Sequence, residues 1–437
     1  MAVAGTLPSG LNRQPDFLRL WAGQTISAFG TQVTILAIPI VAALTLAVSP
    51  FEFGVLGALE IVPVVLLSLP AGVWVDRLRR RRILIGADLG RAAALLSIPV
   101  AAAFDVLTIW QLYAVVVLSG ALSILFDVAW QSHLPSLVGR SELIAANARL
   151  ELTRTISQRL GPGLAGAVVA LVTAPAAVIV DALSFVASAL FVGSIRRPEP
   201  AVIAAKPDAG APRSSMRADI AIGFRFVGGE RVLRALALSI AAGYLFGTVA
   251  DAILILYLVT ERGFTAAEIG IAFTLGSIGV ILGAFLAPRL TRRFGAGSVI
   301  LVAGVGEAVS WLPVGLAPDA FLFTGLATTI AALSLFGALW NANAISLRQA
   351  LTPERLRGRV TATMRFISWC TIPVGTLLGG WLGGVIGLHP TIMVGAVGSL
   401  VTFVPILLSP IPSIRVVPEP VADPDVEPLV AAEPWGV

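Results

Sequence analysis

Apolar stretches of about 20 residues recur along nearly the whole chain, and a helix of this length crosses the hydrocarbon core of a bilayer. Hydrophobic residues make up 57% of the 437 residues and charged residues only 13%, whereas soluble domains carry about a quarter charged residues. Within lipid, the backbone must be hydrogen-bonded inside a helix or a closed barrel. Barrel strands alternate apolar and polar positions, but stretches such as 83–104 and 233–259 are dominated by Ala, Leu, Val and Ile without that alternation. We therefore predict an all-α membrane protein.

The stretches fall into two groups of six, which predicts about twelve transmembrane helices in two six-helix bundles. The predicted spans are 17–46, 52–75, 83–104, 108–132, 146–172, 175–195, 234–259, 266–287, 297–317, 320–346, 362–386 and 390–410. A segment rich in Pro and Ala separates the groups and is typical of a linker. We divide the chain into an N-terminal half (1–195), a cytoplasmic linker with a possible interfacial helix (196–232), a C-terminal half (233–411) and a disordered cytoplasmic tail (412–437).

The basic residues lie in alternate loops between the predicted spans. Arg77 to Arg82, Arg140, Arg149, the linker, Arg289 to Arg293 and Arg355 to Arg359 all fall on one side of the membrane, and the opposite loops hold almost no basic residue except Arg262. The positive-inside rule places the arginine-rich loops and both termini in the cytoplasm, and we expect a multi-pass protein of the bacterial cytoplasmic membrane. The positions of the basic residues, and with them the net charge of +5, are thus explained by membrane topology. The sequence has no stripe of basic residues interleaved with aromatic ones, which a nucleic-acid site would require.

The two halves repeat one plan. AGVWVDRLRRRR from Ala71 aligns with GAFLAPRLTRR from Gly283, and RTISQRLGP from Arg154 aligns with RFISWCTIP from Arg365. Trp130 and Trp340 also correspond. Such internal repeats are typical of transporters whose halves rock about a central site.

These motifs identify a resemblance to the major facilitator superfamily. The segment from Gly72 to Arg82 resembles the loop motif between its second and third helices, and LGPGLAG from Leu160 resembles the fifth-helix motif of its antiporters. LRLWAGQTISAFG, FDVAWQSHLPSLVGRSELIAANA and PERLRGRV resemble the branch of macrolide-efflux and enterobactin-exporter proteins. The second loop copy has Pro288 in place of the aspartate. The fourth span lacks the mid-helix arginine that drug antiporters often carry, so proton coupling by that residue is not expected.

The resemblance implies gating roles for both motifs. Asp76 would lie against the N-terminus of the eleventh helix, near Gly358, and latch the cytoplasmic faces of the halves when the cavity opens outward. The fifth-helix motif would allow that helix to kink and to approach a neighbouring helix closely. The alternatives are that the arginines only set topology and that the glycines only serve packing. The predicted gating and loop residues are Gly72, Asp76, Arg77, Arg81, Arg289, Gly161, Pro162 and Gly166.

Ionisable residues within spans are functional candidates because each is costly in lipid. They are Glu60, Asp127, Glu151, Arg154, Arg159, Asp181, Asp251, Glu307 and Arg365. Our candidates for coupling are Glu60, Asp127, Arg154 and Arg365. Asp127 and Arg154 are expected to pair, either for coupling or as a structural ion pair, whereas Glu60 lacks an obvious partner and an unpaired carboxyl in a low dielectric can exchange protons near neutrality.

The resemblance implies that helices one, four, seven and ten line the substrate cavity. The polar and aromatic candidates there are Gln24, Gln32, Trp130, Gln131, Tyr244, Asp251, Trp340, Asn341 and Asn343. A largely apolar lining with a few polar groups suits an amphiphilic organic substrate. The same residues could instead be interfacial aromatics or hydrogen-bond partners between helices.

We therefore predict a non-enzymatic secondary transporter that exports a small amphiphilic molecule such as a drug, macrolide or siderophore. No cofactor or metal is expected, since the chain has one cysteine, two histidines and no GxxxxGK[ST] motif, and a proton gradient is expected to drive export. The expected partners are the bilayer and the small-molecule substrate, without nucleic acid, and a monomer is expected. The alternatives are import or exchange of a polar solute or lysophospholipid, a membrane sensor or scaffold, and an intramembrane enzyme.

Overall fold

The computed structural model describes residues 10–197 and 216–419, and this part of the chain is helical throughout, without strands. The helices are α1 Pro15–Ile40, α2 Pro50–Arg77, α3 Arg80–Ala103, α4 Ile109–Leu137, α5 Leu143–Leu171, α6 Ala174–Gly193, α7 Met216–Gly229, α8 Arg231–Thr260, α9 Ala266–Gly276, α10 Ile278–Phe294, α11 Ala296–Val309, α12 Leu312–Leu316, α13 Leu322–Leu351, α14 Arg357–Ile386, α15 Leu388–Ser399 and α16 Phe403–Leu407. A π-helical turn, Val41–Thr45, extends α1.

Twelve spans can be followed in the described residues. Eleven segments are long and apolar enough to cross a membrane. Helix α5 has 29 residues and is as long as these segments, but its first half carries charged residues and is less apolar. The seventh, tenth and eleventh spans are α8, α13 and α14, and the eighth, ninth and twelfth are the pairs α9 with α10, α11 with α12 and α15 with α16. The predicted all-α membrane fold is confirmed.

Four spans begin with a hydroxyl side chain at the loops opposite the arginine-rich ones. Ser49 and Thr265 form capping boxes with Glu52 and Glu268 at the starts of α2 and α9. Thr108 and Thr173 accept a backbone N–H at the starts of α4 and α6. A hydroxyl at this position satisfies a backbone donor that has no partner within the helix. Helix starts at this end are therefore encoded locally.

Arg262 is a basic residue in the loops opposite the arginine-rich ones, and its side chain has two partners. Its Nε donates to the Tyr257 hydroxyl at 2.7 Å, and its guanidinium forms an ion pair with Asp319. The hydrogen bond with Tyr257 raises the pKa of Arg262. Because a carboxylate balances its charge, Arg262 does not disturb the charge asymmetry between the two ends.

Residues flanking the C-terminal half pack onto it. Helix α7, which lies within the predicted linker, contacts α14, where a side chain at Gly223 would meet Thr363. After the last span, the carbonyl of Ile414 accepts the N–H of Gly297 at 2.9 Å, and Ile411 is fully buried. The predicted tail therefore begins with packed residues, while 198–215 and 420–437 of the predicted linker and tail lie outside the described residues.

Two ionisable residues that the sequence reading overlooked, Asp88 and Arg91, lie in the core of the N-terminal half. They are 0% and 7% exposed and form an ion pair within α3. The Arg91 guanidinium also donates to Ser123 at 3.2 Å and stacks 4.0 Å from the ring centre of Phe185 and 4.7 Å from that of Phe126. One buried arginine thus ties together α3, α4 and α6.

Replacement of Asp88 by Asn should destabilise the protein by about 3 kcal/mol, because removal of one partner leaves a buried charge uncompensated. The exposed pair of Glu151 and Arg154 has the same three-residue spacing and is the matched control. Glu151→Gln should lower the free energy of unfolding by less than about 1 kcal/mol. Denaturation in detergent, followed by circular dichroism, measures both changes. Equal losses in the two variants would show that Asp88 does not stabilise through its buried charge.

Candidate substrate cavity

The fifth-helix motif forms a close crossing between the two halves. A Cβ atom at Gly166 would lie 2.4 Å from the carbonyl oxygen of Ala266, and one at Gly270 would lie 2.2 Å from that of Pro162. The N–H of Gly163 donates to the Thr274 hydroxyl at 2.8 Å. Helices α5 and α9 can approach this closely because glycine has no side chain.

A second crossing joins α2 to α14 at the same end of the molecule. Cβ atoms at Gly54 and Gly380 would each lie 2.8 Å from the Cα atom of the other glycine. At the opposite ends of these helices, side chains at Gly72 on α2 and Gly358 on α14 would meet nothing within 4 Å. The halves are therefore packed at one end and separated at the arginine-rich end, where the space between them opens.

Residues of the predicted loop motif contact their own halves in this conformation. Arg81 donates to the carbonyl oxygen of Val192 at 3.3 Å and also to that of Gly193, both on α6. Arg289 donates to the carbonyl of Phe285 at 3.0 Å and stacks on its ring. Arg77 is exposed, and the side chain of Asp76 lies outside the described residues. The predicted latch thus stays a prediction.

The C-terminal half contains a pocket of about 330 Å³ between α8, α11, α13 and α14. It brings together three predicted cavity residues, Tyr244, Trp340 and Asn341. Arg365, a coupling candidate, also lines it and stacks 4.2 Å from the ring centre of Trp369. Glu307, Arg348, Trp369 and Ser239 line the same pocket and were not assigned to a cavity from sequence. A sequence signal existed for Glu307, as an acidic residue in the middle of a span.

Asn343 does not face the cavity, and this prediction is wrong. The side chain is 4% exposed, accepts a hydrogen bond from the Thr291 hydroxyl at 2.7 Å and donates to the carbonyl of Leu339 at 2.9 Å. It joins α13 to α10 inside the C-terminal half. Successive positions turn by about 100° along a helix, so Asn341 and Asn343 point to nearly opposite sides.

The predicted residues of the N-terminal half lie apart from this pocket. Gln131 is exposed, and Gln32 packs against Gly161 on α5. Nε2 of Gln24 is buried without a hydrogen-bond partner among the described residues. The indole N–H of Trp130 donates to Asp127 at 3.3 Å.

Arg154 is paired differently from our prediction. Its guanidinium makes two hydrogen bonds to Glu151, at 3.0 and 2.8 Å, instead of an ion pair with Asp127. The spacing of three residues on one helix favours this local partner. Asp127 is exposed on α4 and accepts the indole N–H of Trp130.

Glu60 and Asp251 are acidic residues of different halves. Glu60 lies on α2 and Asp251 on α8, both side chains are exposed, and these two helices are in contact. Glu60 follows Gly57 by one turn, and a Cβ atom at Gly57 would lie 3.6 Å from the side chain of Thr376 at the α2–α14 crossing. The acid pair therefore lies beside the region where the halves are in contact.

These features are those of a two-bundle carrier, and a family model described as "Transmembrane secretion effector" matches residues 9–433. The chain belongs to this family. It is 28% identical to the multidrug efflux pump Tap of Mycolicibacterium fortuitum, over 87% of the chain and 92% of that protein. It is 24% identical to the enterobactin exporter EntS of Citrobacter koseri, over 72% of both. The major facilitator transporter family and the exporter branch predicted from sequence are confirmed.

A solved structure supports the fold. A bacterial homologue of the iron transporter ferroportin in the inward-facing state matches with a TM-score of 0.72 and 19% identity, covering 90% of this chain and 98% of that one. A bacterial homologue of ferroportin in the outward-facing state, with 18% identity and the same coverage, matches with a TM-score of 0.52. Both structures share the fold of this chain.

Replacement of Gly380 by Ala should favour separation of the halves at the packed end, because the new methyl group would meet the backbone of Gly54 and Pro50 at 2.7–2.8 Å. Gly384→Ala, one turn along α14, is the control because its methyl group would meet nothing within 4 Å. Spin labels at Asp105 and Leu316, in a Cys370→Ser background, measure the separation by pulsed electron resonance. A longer distance is expected in Gly380→Ala alone. Unchanged distances in that variant would contradict a closing role for the α2–α14 crossing.

Proposed function

We propose that the protein is a secondary exporter that moves small amphiphilic molecules out of the cytoplasm in exchange for protons, by alternating access. The observation that carries this proposal is the geometry of the two halves, which are packed at one end and open at the other, together with a polar and aromatic pocket in the C-terminal half. The relatives named as a multidrug efflux pump and an enterobactin exporter support export.

The proposed location is the bacterial cytoplasmic membrane, with both termini in the cytoplasm. The arginine-rich loops support this orientation through the positive-inside rule. In that orientation the cavity opens to the cytoplasm, so the structure represents the state that takes up substrate. We also propose a monomer, made of the two halves and linker predicted from sequence, that transports without catalysing a covalent reaction.

The lining of the pocket supports an amphiphilic substrate. Trp340, Trp369 and Tyr244 offer aromatic surface, while Asn341, Glu307 and Arg348 offer polar groups. Pockets that combine apolar walls with a few polar groups bind organic molecules and fix their orientation. Import or exchange of a polar solute is a weaker proposal, because the relatives named above are exporters.

The proposed coupling site is the acid pair of Glu60 and Asp251. Two acidic groups near each other ionise less easily together than singly, so one of them can carry a proton. Because the two residues lie on different halves, we expect a bound proton to change the interaction between the halves. Asp127, which is exposed beside Arg91 and Arg154, stays the second candidate.

Neutral replacement of the pair, by Glu60→Gln or Asp251→Asn, should abolish uphill accumulation in proteoliposomes under a pH gradient. Substrate counterflow, which needs no proton movement, should persist because the cavity is intact. Glu261→Gln, which changes an exposed carboxylate outside the cavity, is the control and should transport normally. If both neutral variants still accumulate substrate, the pair does not carry the coupling proton, and Asp127→Asn becomes the next variant to measure.

The predicted latch gives a separate expectation. Asp76→Asn should slow transport severalfold, because the carboxylate would no longer stabilise the cytoplasmic closure of α2 against α14, a helix-terminus interaction of about 0.3–1 kcal/mol. Initial efflux rates in inverted vesicles measure this effect, with Asp105→Asn at the other end as the control. Normal transport by Asp76→Asn would rule out the latch.

A further inference from the structure

The pocket in the C-terminal half is lined by one acidic group, Glu307, and by two basic groups, Arg348 and Arg365. The guanidinium of Arg365 stacks on the ring of Trp369. Among the described residues, neither Glu307 nor Arg348 forms an ion pair, and both line the pocket. Charged groups inside membrane proteins are normally paired with each other or used in function, because an unpaired charge is costly in lipid. Opposite charges that do not pair with each other leave both available to a ligand.

The two charges lie at different depths. Gly306, next to Glu307, packs on the ring of Phe336, which places Glu307 beside the middle of α13. Arg348 lies near the arginine-rich end of the same helix. From Gly337 to Arg348, α13 rises about 16 Å at 1.5 Å per residue. The pocket is therefore negative at its deep end and positive at its mouth.

The wall between the two charges contains unused hydrogen-bonding atoms. Within the described part of the chain, the indole N–H of Trp340, Nε of Arg348 and the hydroxyl of the fully buried Ser239 have no hydrogen-bond partner. Such atoms are rare in folded proteins, where buried polar groups normally have partners. The indole and guanidinium groups can only donate, so the partner that would satisfy them is an acceptor.

The internal repeat shows that the orphaned indole is particular to this half. At the equivalent position of the N-terminal half, the indole N–H of Trp130 is satisfied by Asp127. On α13 the residue three positions before Trp340 is Gly337 instead of an acid. The C-terminal half thus has a free donor at the position where the N-terminal half has a completed bond.

We propose that this pocket selects amphiphiles with two poles, a cationic group that faces Glu307 and a carboxylate that faces Arg348, with a hydrogen-bond acceptor between the poles that faces the indole N–H of Trp340. The aromatic surfaces of Tyr244 and Trp369 contact the apolar body between the poles. This proposal rests on the proposed function, since it names the class of molecule that the exporter would carry.

Equilibrium binding to the full-length protein in nanodiscs tests the proposal, because binding without a gradient does not depend on export or proton coupling. The probes are rhodamine B, with a cation and a carboxylate, its ethyl ester, which lacks the negative charge, and tetraphenylphosphonium, a cation without an acceptor. The protein should bind rhodamine B most tightly. Lysophosphatidylethanolamine carries the same two poles, and its displacement of rhodamine B would extend this chemistry to a lipid headgroup.

Arg348→Gln should weaken rhodamine B binding about tenfold and change the affinity for tetraphenylphosphonium less than twofold, because only the carboxylate interacts with the arginine. Glu307→Gln should weaken the binding of all three cationic probes about tenfold. Trp340→Phe removes one hydrogen-bond donor but keeps an aromatic ring. It should weaken the binding of the probes that carry an acceptor about threefold. Arg292→Gln and Glu261→Gln, at exposed positions outside the pocket, are the controls.

Three results would overturn the proposal. In the first, no probe binds the wild-type protein. In the second, Arg348→Gln weakens all three probes equally, which would indicate a general change of the pocket. In the third, Glu307→Gln leaves every affinity unchanged. A failure of proton coupling or of export would leave these binding results unaffected, so the two proposals fail separately.

Discussion

The close approach of glycine backbones between the two halves is the contact on which the rest of the structure depends. At the α5–α9 and α2–α14 crossings, positions such as Gly166, Gly270, Gly54 and Gly380 have no room for a side chain. Association of helices in lipid relies on packing and hydrogen bonds, because lipid tails are as apolar as the side chains. Glycine allows the backbones to touch at one end, and the absence of such contacts at Gly72 and Gly358 leaves the other end open.

The features that could be predicted from sequence depend on local chemistry. Apolar length predicts the spans, because lipid requires each helix to satisfy its own backbone. Ser49, Thr108, Thr173 and Thr265 mark helix starts through bonds within one turn. The repeat and the fifth-helix glycines can also be recognised in the sequence. The helix that packs against those glycines cannot be identified from the sequence.

The features that could not be predicted depend on which helix faces which. Asn341 and Asn343 have the same chemistry, and only the packing of α13 against α10 decides that Asn343 is buried with Thr291. Arg154 could have met Asp127 on the neighbouring helix, yet the closer carboxylate of Glu151 takes its hydrogen bonds. Asp88 and Arg91 stand in a stretch of mostly apolar residues, and only the packing of the helices shows that they pair with each other and that Phe126 and Phe185 stack on the guanidinium.

The two halves share one plan but use their charges differently. In the N-terminal half, Arg91 and Arg154 pair with Asp88 and Glu151, whereas Glu307 and Arg348 in the C-terminal pocket form no ion pair among the described residues. Glu60 and Asp251 lie where the halves must part. In the proposed exchange of substrate for protons, their repulsion when both are ionised would favour opening of the packed end, and a bound proton would permit its closure. A carrier that returns to the cytoplasmic side with a proton, releases it and then takes substrate would therefore move the two in opposite directions, as antiport requires.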